Sequence, residues 1–417
     1  MRDFRTRNVF FLGMVEIFWG IALAFSHAKA VLPAYLADLG GANAAVGALT
    51  AVWIVGGSLP QVLSGYFTEH LRARKRAVMV FHFLPAVAWL ALFVFNEHFV
   101  AGPADYGDAI AFFMIAVCVY ECSLGLLLPM YLDFLSRVLA PETRGQAFGT
   151  IFSTQCVFGA WAVSCVGFLL AGRPFPGNYA LLFLLTFVSI CAGNLFFIPV
   201  KERTDEAAAP RRRVLAYLRS FAAIWGANRL LRRYAALRVL VALNMVLAFF
   251  FTKHAKSTLD WLDITHVRHF VVFLLVGQAA GNVALGRVGD RFGFKAVALI
   301  GAGVMFGATA VCAGLGSLAG FYLVMGAAGF YLAADWISHS NFVLMVCGGE
   351  NQTSSLGLVG ALTSVPLACA SLTLGCFMDL FSFAAVAVAT SALAGAGTVL
   401  LAFTRFSESG REPCARV

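Results

Sequence analysis

The stretch Gly286-Arg287-Val288-Gly289-Asp290-Arg291-Phe292-Gly293-Phe294-Lys295 lies between two long apolar runs. An earlier stretch, Gly65-Tyr66-Phe67-Thr68-Glu69-His70-Leu71-Arg72-Ala73-Arg74-Lys75-Arg76, lies between two others. In both, a glycine stands four residues before an acid, Asp290 or Glu69, and a basic cluster follows. A second echo accompanies the first. His27-Ala28-Lys29 and His254-Ala255-Lys256 are 227 residues apart, against 221 for Gly65 and Gly286. Two echoes at nearly one offset mean that the chain is built from two copies of one unit.

Working outward from these stretches, twelve apolar runs approach the roughly 20 residues that a membrane helix needs. They are spans 1 to 12, at 9–36, 45–67, 77–95, 109–136, 146–171, 179–200, 236–259, 270–286, 296–315, 319–346, 355–378 and 383–404. Six precede the long polar segment 201–235 and six follow it. The expected organisation is a six-helix bundle over 1–200, a basic linker over 201–235, a second six-helix bundle over 236–405 and a tail over 406–417. Residues 211–233 alternate arginines with Leu215, Leu218, Phe221 and Trp225, which predicts an amphipathic helix on the membrane face.

Composition excludes the other classes. Of 417 residues, 60% are hydrophobic and 12% charged, and mean hydropathy is +0.83. Soluble domains are nearer half apolar and a quarter charged, so a soluble enzyme, a nucleic-acid binder and a disordered chain are all excluded. The runs are too long and continuous for a β-barrel. The fold class expected is an all-α integral membrane protein with 12 transmembrane helices in two pseudo-symmetric six-helix bundles. The ten cysteines form no CxxC and mostly sit inside apolar runs, so they read as free thiols acting as small hydrophobes.

The net charge of +9 is a topology signal rather than a nucleic-acid footprint. With both termini inside, 25 of the 30 Lys/Arg residues fall in cytoplasmic segments, leaving Lys29, Arg173, Lys253, Lys256 and Arg268 outside. This predicts a multi-pass protein of the bacterial cytoplasmic (inner) membrane with cytoplasmic N- and C-termini. Residues 1–30 have the outline of a signal peptide ending at Ala28-Lys29-Ala30. The repeat places them inside the fold, so they read as span 1.

The loop after span 8 matches the major facilitator superfamily pattern G-x-x-x-D-R-x-G-x-K/R at Gly286, Asp290, Arg291, Gly293 and Lys295. The loop after span 2 resembles a degraded copy, with Gly65 and Glu69 in place and Arg72 where the second glycine would stand. Arg144-Gly145 after span 4 resembles another recurrent feature of that superfamily. The chain therefore resembles a major facilitator over its whole length. The resemblance implies two bundles that rock about a central cavity, with spans 1, 4, 7 and 10 lining it. It also implies a conformational latch at Gly65, Glu69, Arg72, Arg144, Gly286, Asp290, Arg291, Gly293 and Lys295. Span 5 lacks the Gly-Pro of the drug/proton antiporter branch, and Glu121 stands where that branch carries arginine.

Ionisable groups at membrane depth are costly and therefore candidate sites. Glu16 is in span 1, Glu121 in span 4, Asn244 in span 7, and Asp335 with His339 in span 10, four residues apart and so on one face. At the outer ends lie His27, Lys29, Lys253, His254 and Lys256. Gln155 and Gln278 read as interhelical glue. These ten residues, from Glu16 to His339, are the substrate and coupling candidates.

The expected function is secondary transport of a small solute by alternating access. The lysines favour an organic or inorganic anion, and the buried carboxylates offer proton coupling. Two alternatives stay open: a transition-metal or metal-chelate transporter using His27 and His254, and a receptor or assembly factor with a carrier fold. No HExxH, GxSxG or phosphate-cradling loop points to an enzyme. No cofactor is expected. The expected partners are the solute and membrane lipid, and the expected state is a monomer.

Overall fold

The computed structural model describes residues 2–68, 71–139, 144–170, 172–202, 219, 225–226, 229–347 and 352–404. Eleven helical segments among them are long and apolar enough to cross a membrane. Span 5, the helix Arg144–Leu170, supplies the twelfth crossing. The chain is a multi-pass integral membrane protein. An even number of spans puts both chain ends on one side, called here the terminal face, and the opposite side is the far face.

Three spans are interrupted, span 2 at Leu59 and Pro60 and spans 1 and 7 at greater length. Span 1 consists of Arg2–Phe25 and Val31–Asp38. Pro33 explains the break: its ring cannot pack under the carbonyl of Lys29, and it has no N–H to donate to it. Ala30, Val31 and Leu32 instead turn back onto the His27 carbonyl. The freed Lys29 carbonyl accepts from Thr252 Oγ1 at 2.9 Å, on span 7 of the other half. Span 7 is cut into Arg229–Val241, Leu243–Leu247 and Phe251–Thr258. Its first piece begins inside the segment assigned to the linker, because Leu231, Tyr234 and Arg238 are buried against the second half. Most of the amphipathic helix expected over 211–233 lies outside the described residues.

The other spans are Asn43–Ser58 with Gln61–Thr68 (span 2), Lys75–Phe99 (3), Tyr106–Val138 (4) and Gly177–Leu195 (6). In the second half they are Ile264–Phe292 (8), Phe294–Leu315 (9), Leu318–Cys347 (10), Gln352–Leu380 (11) and Phe383–Phe403 (12).

Lipid gives helices no hydrophobic reason to associate, so small residues that bring backbones together carry the packing. Spans 2 and 4 meet at Gly56 and Gly125, where a Cβ on Gly125 would fall 2.7 Å from the Gly56 carbonyl oxygen. Their counterparts, spans 8 and 10, meet at Gly277 and Gly329. A Cβ on Gly329 would lie 1.9 Å from the Leu274 oxygen.

The repeat also appears at the terminal face. Lys75 opens span 3, and its Nζ donates to the Ile198 and Val200 carbonyls at the end of span 6. Lys295 opens span 9, and its Nζ donates to Ala402 and Thr404 at the end of span 12. Each half thus places one ammonium on the C-terminal carbonyls of its last helix, where the helix dipole favours a cation.

Candidate functional site

Between the halves lies a cavity of about 230 Å³. Span 1 and its break contribute Gly20, His27 and Lys29. Span 2 contributes Trp53, span 5 Gln155 and Cys156, and span 8 Gln278; leucines of spans 1, 8 and 10 complete the wall. Lys29 is the one Lys, Arg, Asp or Glu among the lining residues. Its Nζ stands 4.6 Å over the ring of Phe249 from span 7, a cation–π contact. The broken helix produces this arrangement, because the irregular backbone lines a cavity rather than facing lipid.

Glu16 sits one turn below Gly20. It accepts from Tyr131 Oη at 2.6 Å and from Gln155 Nε2 at 2.8 Å. Gln155 therefore joins the cavity wall to a buried carboxylate. His82 of span 3, absent from the sequence expectations, is buried edge-on to Trp19 and Tyr131, and its Nδ1 pairs with the Val78 carbonyl. Glu121 is 3% exposed, and its Oε1 has no hydrogen-bond partner. Asn244 is fully buried, with neither amide atom partnered.

Asp335 and His339 share a face, but each is held by span 7 rather than by the other. Asp335 forms a bidentate ion pair with Arg238, its second contact from Nη2 to Oδ2 at 2.7 Å. His339 Nδ1 meets the Tyr234 hydroxyl, and the two rings stack. Sequence reasoning counts Arg238 with the cytoplasmic charges although span 7 is drawn from 236, so it does not find this buried pair. The missed signal is position: Arg238 lies three residues inside an otherwise apolar run beginning at Ala235.

The far-face cations do not assemble into one funnel. Lys256 Nζ binds Asp38 Oδ1 at 2.6 Å. Lys253 is half-buried in the field of Asp379. His254 stacks on Phe383 with ring centroids 3.7 Å apart. The His-Ala-Lys echo is thus a sequence repeat without a matching environment. His27 and Lys29 occupy the break beside the cavity, whereas His254 and Lys256 lie on the continuous helix Phe251–Thr258. No group of three or more potential metal ligands occurs among the described residues.

Of the latch residues, Glu69 lies outside the described residues, as do the surroundings of Gly65 and the side chains of Arg144 and Asp290. Gly293 makes the turn between spans 8 and 9 at φ 82°, where a residue with a Cβ would be strained. Gly286 has nothing within reach of an added Cβ, so no close approach explains it. Arg291 lies over its neighbour Phe292, and Lys295 caps span 12. Arg72 is exposed. Arg74 takes the place expected for it: this buried guanidinium donates from Nε to Asp133 Oδ2 of span 4 at 3.0 Å.

The halves meet through polar contacts near the far face. Besides Lys256–Asp38 and Thr252–Lys29, Asp379 at the end of span 11 accepts from the Asn43 and Ala44 N–H groups at the start of span 2, both at 2.9 Å. Ser371 Oγ donates to the Gly47 carbonyl at 3.0 Å, and Arg268 Nη1 to the Ser164 carbonyl at 3.2 Å. These polar contacts lie in the far half, and nearer the terminal face Val62 and Tyr66 of span 2 pack against the second-half cluster that holds Leu231, Tyr234 and Phe342.

No protein-family description and no curated protein matches the chain in sequence. Solved structures do match in shape. The nucleoside transporter NupG superposes with a TM-score of 0.67 at 14% identity, covering 97% of this chain and all of that one. The xylose transporter XylE from E. coli, in a partially occluded inward-open conformation, gives 0.65 at 13% identity, covering 96% of each chain. A POT family transporter in complex with 5-aminolevulinic acid gives 0.71 at 10% identity, covering 95% of each. At such identities the likeness is one of fold. The chain has the major facilitator fold, two bundles of six spans.

Proposed function

We propose that this chain is a secondary active transporter that moves a small organic anion through the Lys29 cavity by alternating access. The observation that carries the reading is that cavity. It lies between the two bundles at a broken helix and holds a single ammonium, flanked by two amide side chains and an indole. Cavities for drug-sized ligands run from about 300 to 1,000 Å³, so this volume suits a solute of few heavy atoms. The fold supports the same reading, since duplicated six-span halves are a transporter architecture with the site at their interface.

The polar contacts between halves suit a conformer closed at the far face. The positive charge of the segments at the terminal face favours placing that face in the cytoplasm of a bacterium, which makes the structure closed to the outside. Rocking of the bundles would break the far-face contacts and expose the cavity there. The hydrogen bond from Gln155 that joins Glu16 to the cavity wall supports a part for Glu16 in coupling a proton to this motion. The metal alternative needs His27 and His254 in one site, and the stacking of His254 on Phe383 argues against it.

The test is uptake into proteoliposomes holding the full chain. Small carboxylates, divalent metals and neutral sugars are compared with and without an inward proton gradient. Saturable uptake of a carboxylate supports the reading. Uptake confined to metals or sugars, or transport of none, overturns it.

A further inference from the structure

Glu121 is buried, and no hydrogen bond or ion pair to it occurs among the described residues. Native structures leave few such groups unpartnered, and each asks for an explanation. Glu121 is not itself a lining residue of the cavity, but its neighbours on span 2 lie one turn from Trp53, which is. A Cβ added to Gly57 would lie 3.0 Å from Glu121 Oε2, and one added to Gly56 would lie 2.7 Å from Glu121 Cβ. Gly56 and Gly57 are three and four residues beyond Trp53, so they share the helix face that Trp53 presents to the cavity. The Trp53 ring in turn is 6.0 Å from Phe249, the ring beneath Lys29 Nζ. Lys29 and Glu121 feel each other's charge without forming an ion pair.

We infer that the solute is a zwitterion: its carboxylate meets Lys29, and its ammonium meets Glu121. A plain anion would pair with Lys29 and leave Glu121 without a partner in a low-dielectric interior. A solute with both charges satisfies both ends, and its own net charge of zero lowers the electrostatic cost of crossing. The two glycines matter to this arrangement, because any side chain at Gly57 would fill the space beside Glu121 Oε2. The inference rests on the proposed carrier reading and narrows its substrate class.

The test is calorimetric binding at pH 7 to the full chain in lipid nanodiscs. The probes are glycine, β-alanine, γ-aminobutyrate and 5-aminovalerate, each against its amine-free carboxylate and its carboxylate-free amine. A charge-assisted hydrogen bond supports an expected margin of at least about tenfold for one zwitterion over its matched carboxylate. Glu121→Gln should remove that margin while leaving carboxylate binding unchanged, and Glu121→Asp should keep part of it. Thermal melts confirm that each variant is folded. Equal affinity for zwitterion and carboxylate overturns the inference, and so does a margin that survives in Glu121→Gln. If Glu121→Gln alters only the pH dependence of carboxylate binding, Glu121 is a proton site, and the carrier reading stands without the zwitterion. Binding of neither class, or binding indifferent to Lys29→Met, overturns both.

Discussion

Asp38 joins the two halves with one carboxylate. Its Oδ1 takes the Lys256 ammonium at 2.6 Å, and its Oδ2 takes the Tyr179 hydroxyl at 2.7 Å. Span 1 is thereby tied to span 6 in its own half and to span 7 in the other. An isolated exposed pair would contribute little, but Lys256 is largely covered here. In the proposed cycle this pair forms when the far face closes and separates when it opens.

Lys256→Met should therefore shift the population toward far-face opening while leaving the fold intact. Spin labels on the exposed positions Ala101 and Asp260, one in each half, report it. The expected result is a longer-distance component that grows in Lys256→Met and in Asp38→Asn. An unchanged distance distribution in both variants would remove the pair from the gate.

Asp379 closes a second seam by capping the first turn of span 2 from the opposite half. Losing such a cap costs about 0.5–2 kcal/mol. Here that loss falls on the closed state alone, since opening separates the two groups in any case. Asp379→Ala should add to the effect of Lys256→Met in the same distance measurement. A double variant no more open than either single one would mean that the seams act as one unit.

The Arg238–Asp335 pair yields a stability prediction with a sign. Both side chains are about nine-tenths buried, and removing one partner strands the other charge. Arg238→Met alone, or Asp335→Leu alone, should cost about 3–5 kcal/mol. The double variant should recover most of that loss, because an apolar pair leaves no bare charge. Thermal melts monitored by size-exclusion chromatography check it. A double variant as unstable as the worse single would show that the pair is needed for more than neutrality.

Two glycines in neighbouring spans should respond oppositely to alanine. At Gly329 a Cβ would run into the Leu274 carbonyl, so Gly329→Ala must push spans 8 and 10 apart and should destabilise by about 1–3 kcal/mol. Gly303 in span 9 has nothing within 4 Å of an added Cβ, and helix propensity there favours alanine by up to about 1 kcal/mol. Equal melting temperatures for the two variants would contradict the close packing of spans 8 and 10.

The fold was legible in the sequence because membrane thickness fixes span length, and because the Gly65 and Gly286 stretches reveal the duplication. The site was legible only in part. Glu16, His27, Lys29, Glu121 and Asn244 could be chosen because polar groups stand out in apolar runs. What each one touches could not be read. Spacing along span 1 says nothing of Glu16's partners, because Tyr131 and Gln155 come from two other spans. The His-Ala-Lys echo misled, because Pro33 breaks one copy while span 7 keeps the other helical. Arg238 went unnoticed because it lies beside an arginine-rich segment and reads as its last member. Lys75 hid in the same way within the basic loop after span 2.

The central claim is that a carboxylate-bearing solute crosses by exchange at Lys29. The direct measurement is counterflow in proteoliposomes preloaded with each small carboxylate and zwitterion of the panel, following entry of the labelled compound in wild type, Lys29→Arg and Lys29→Met. The account predicts transient accumulation of at least one compound by the wild type, a reduced but measurable exchange by Lys29→Arg, and none by a folded Lys29→Met. Exchange at the wild-type rate in Lys29→Met, or no exchange of any compound by the wild type, would contradict it.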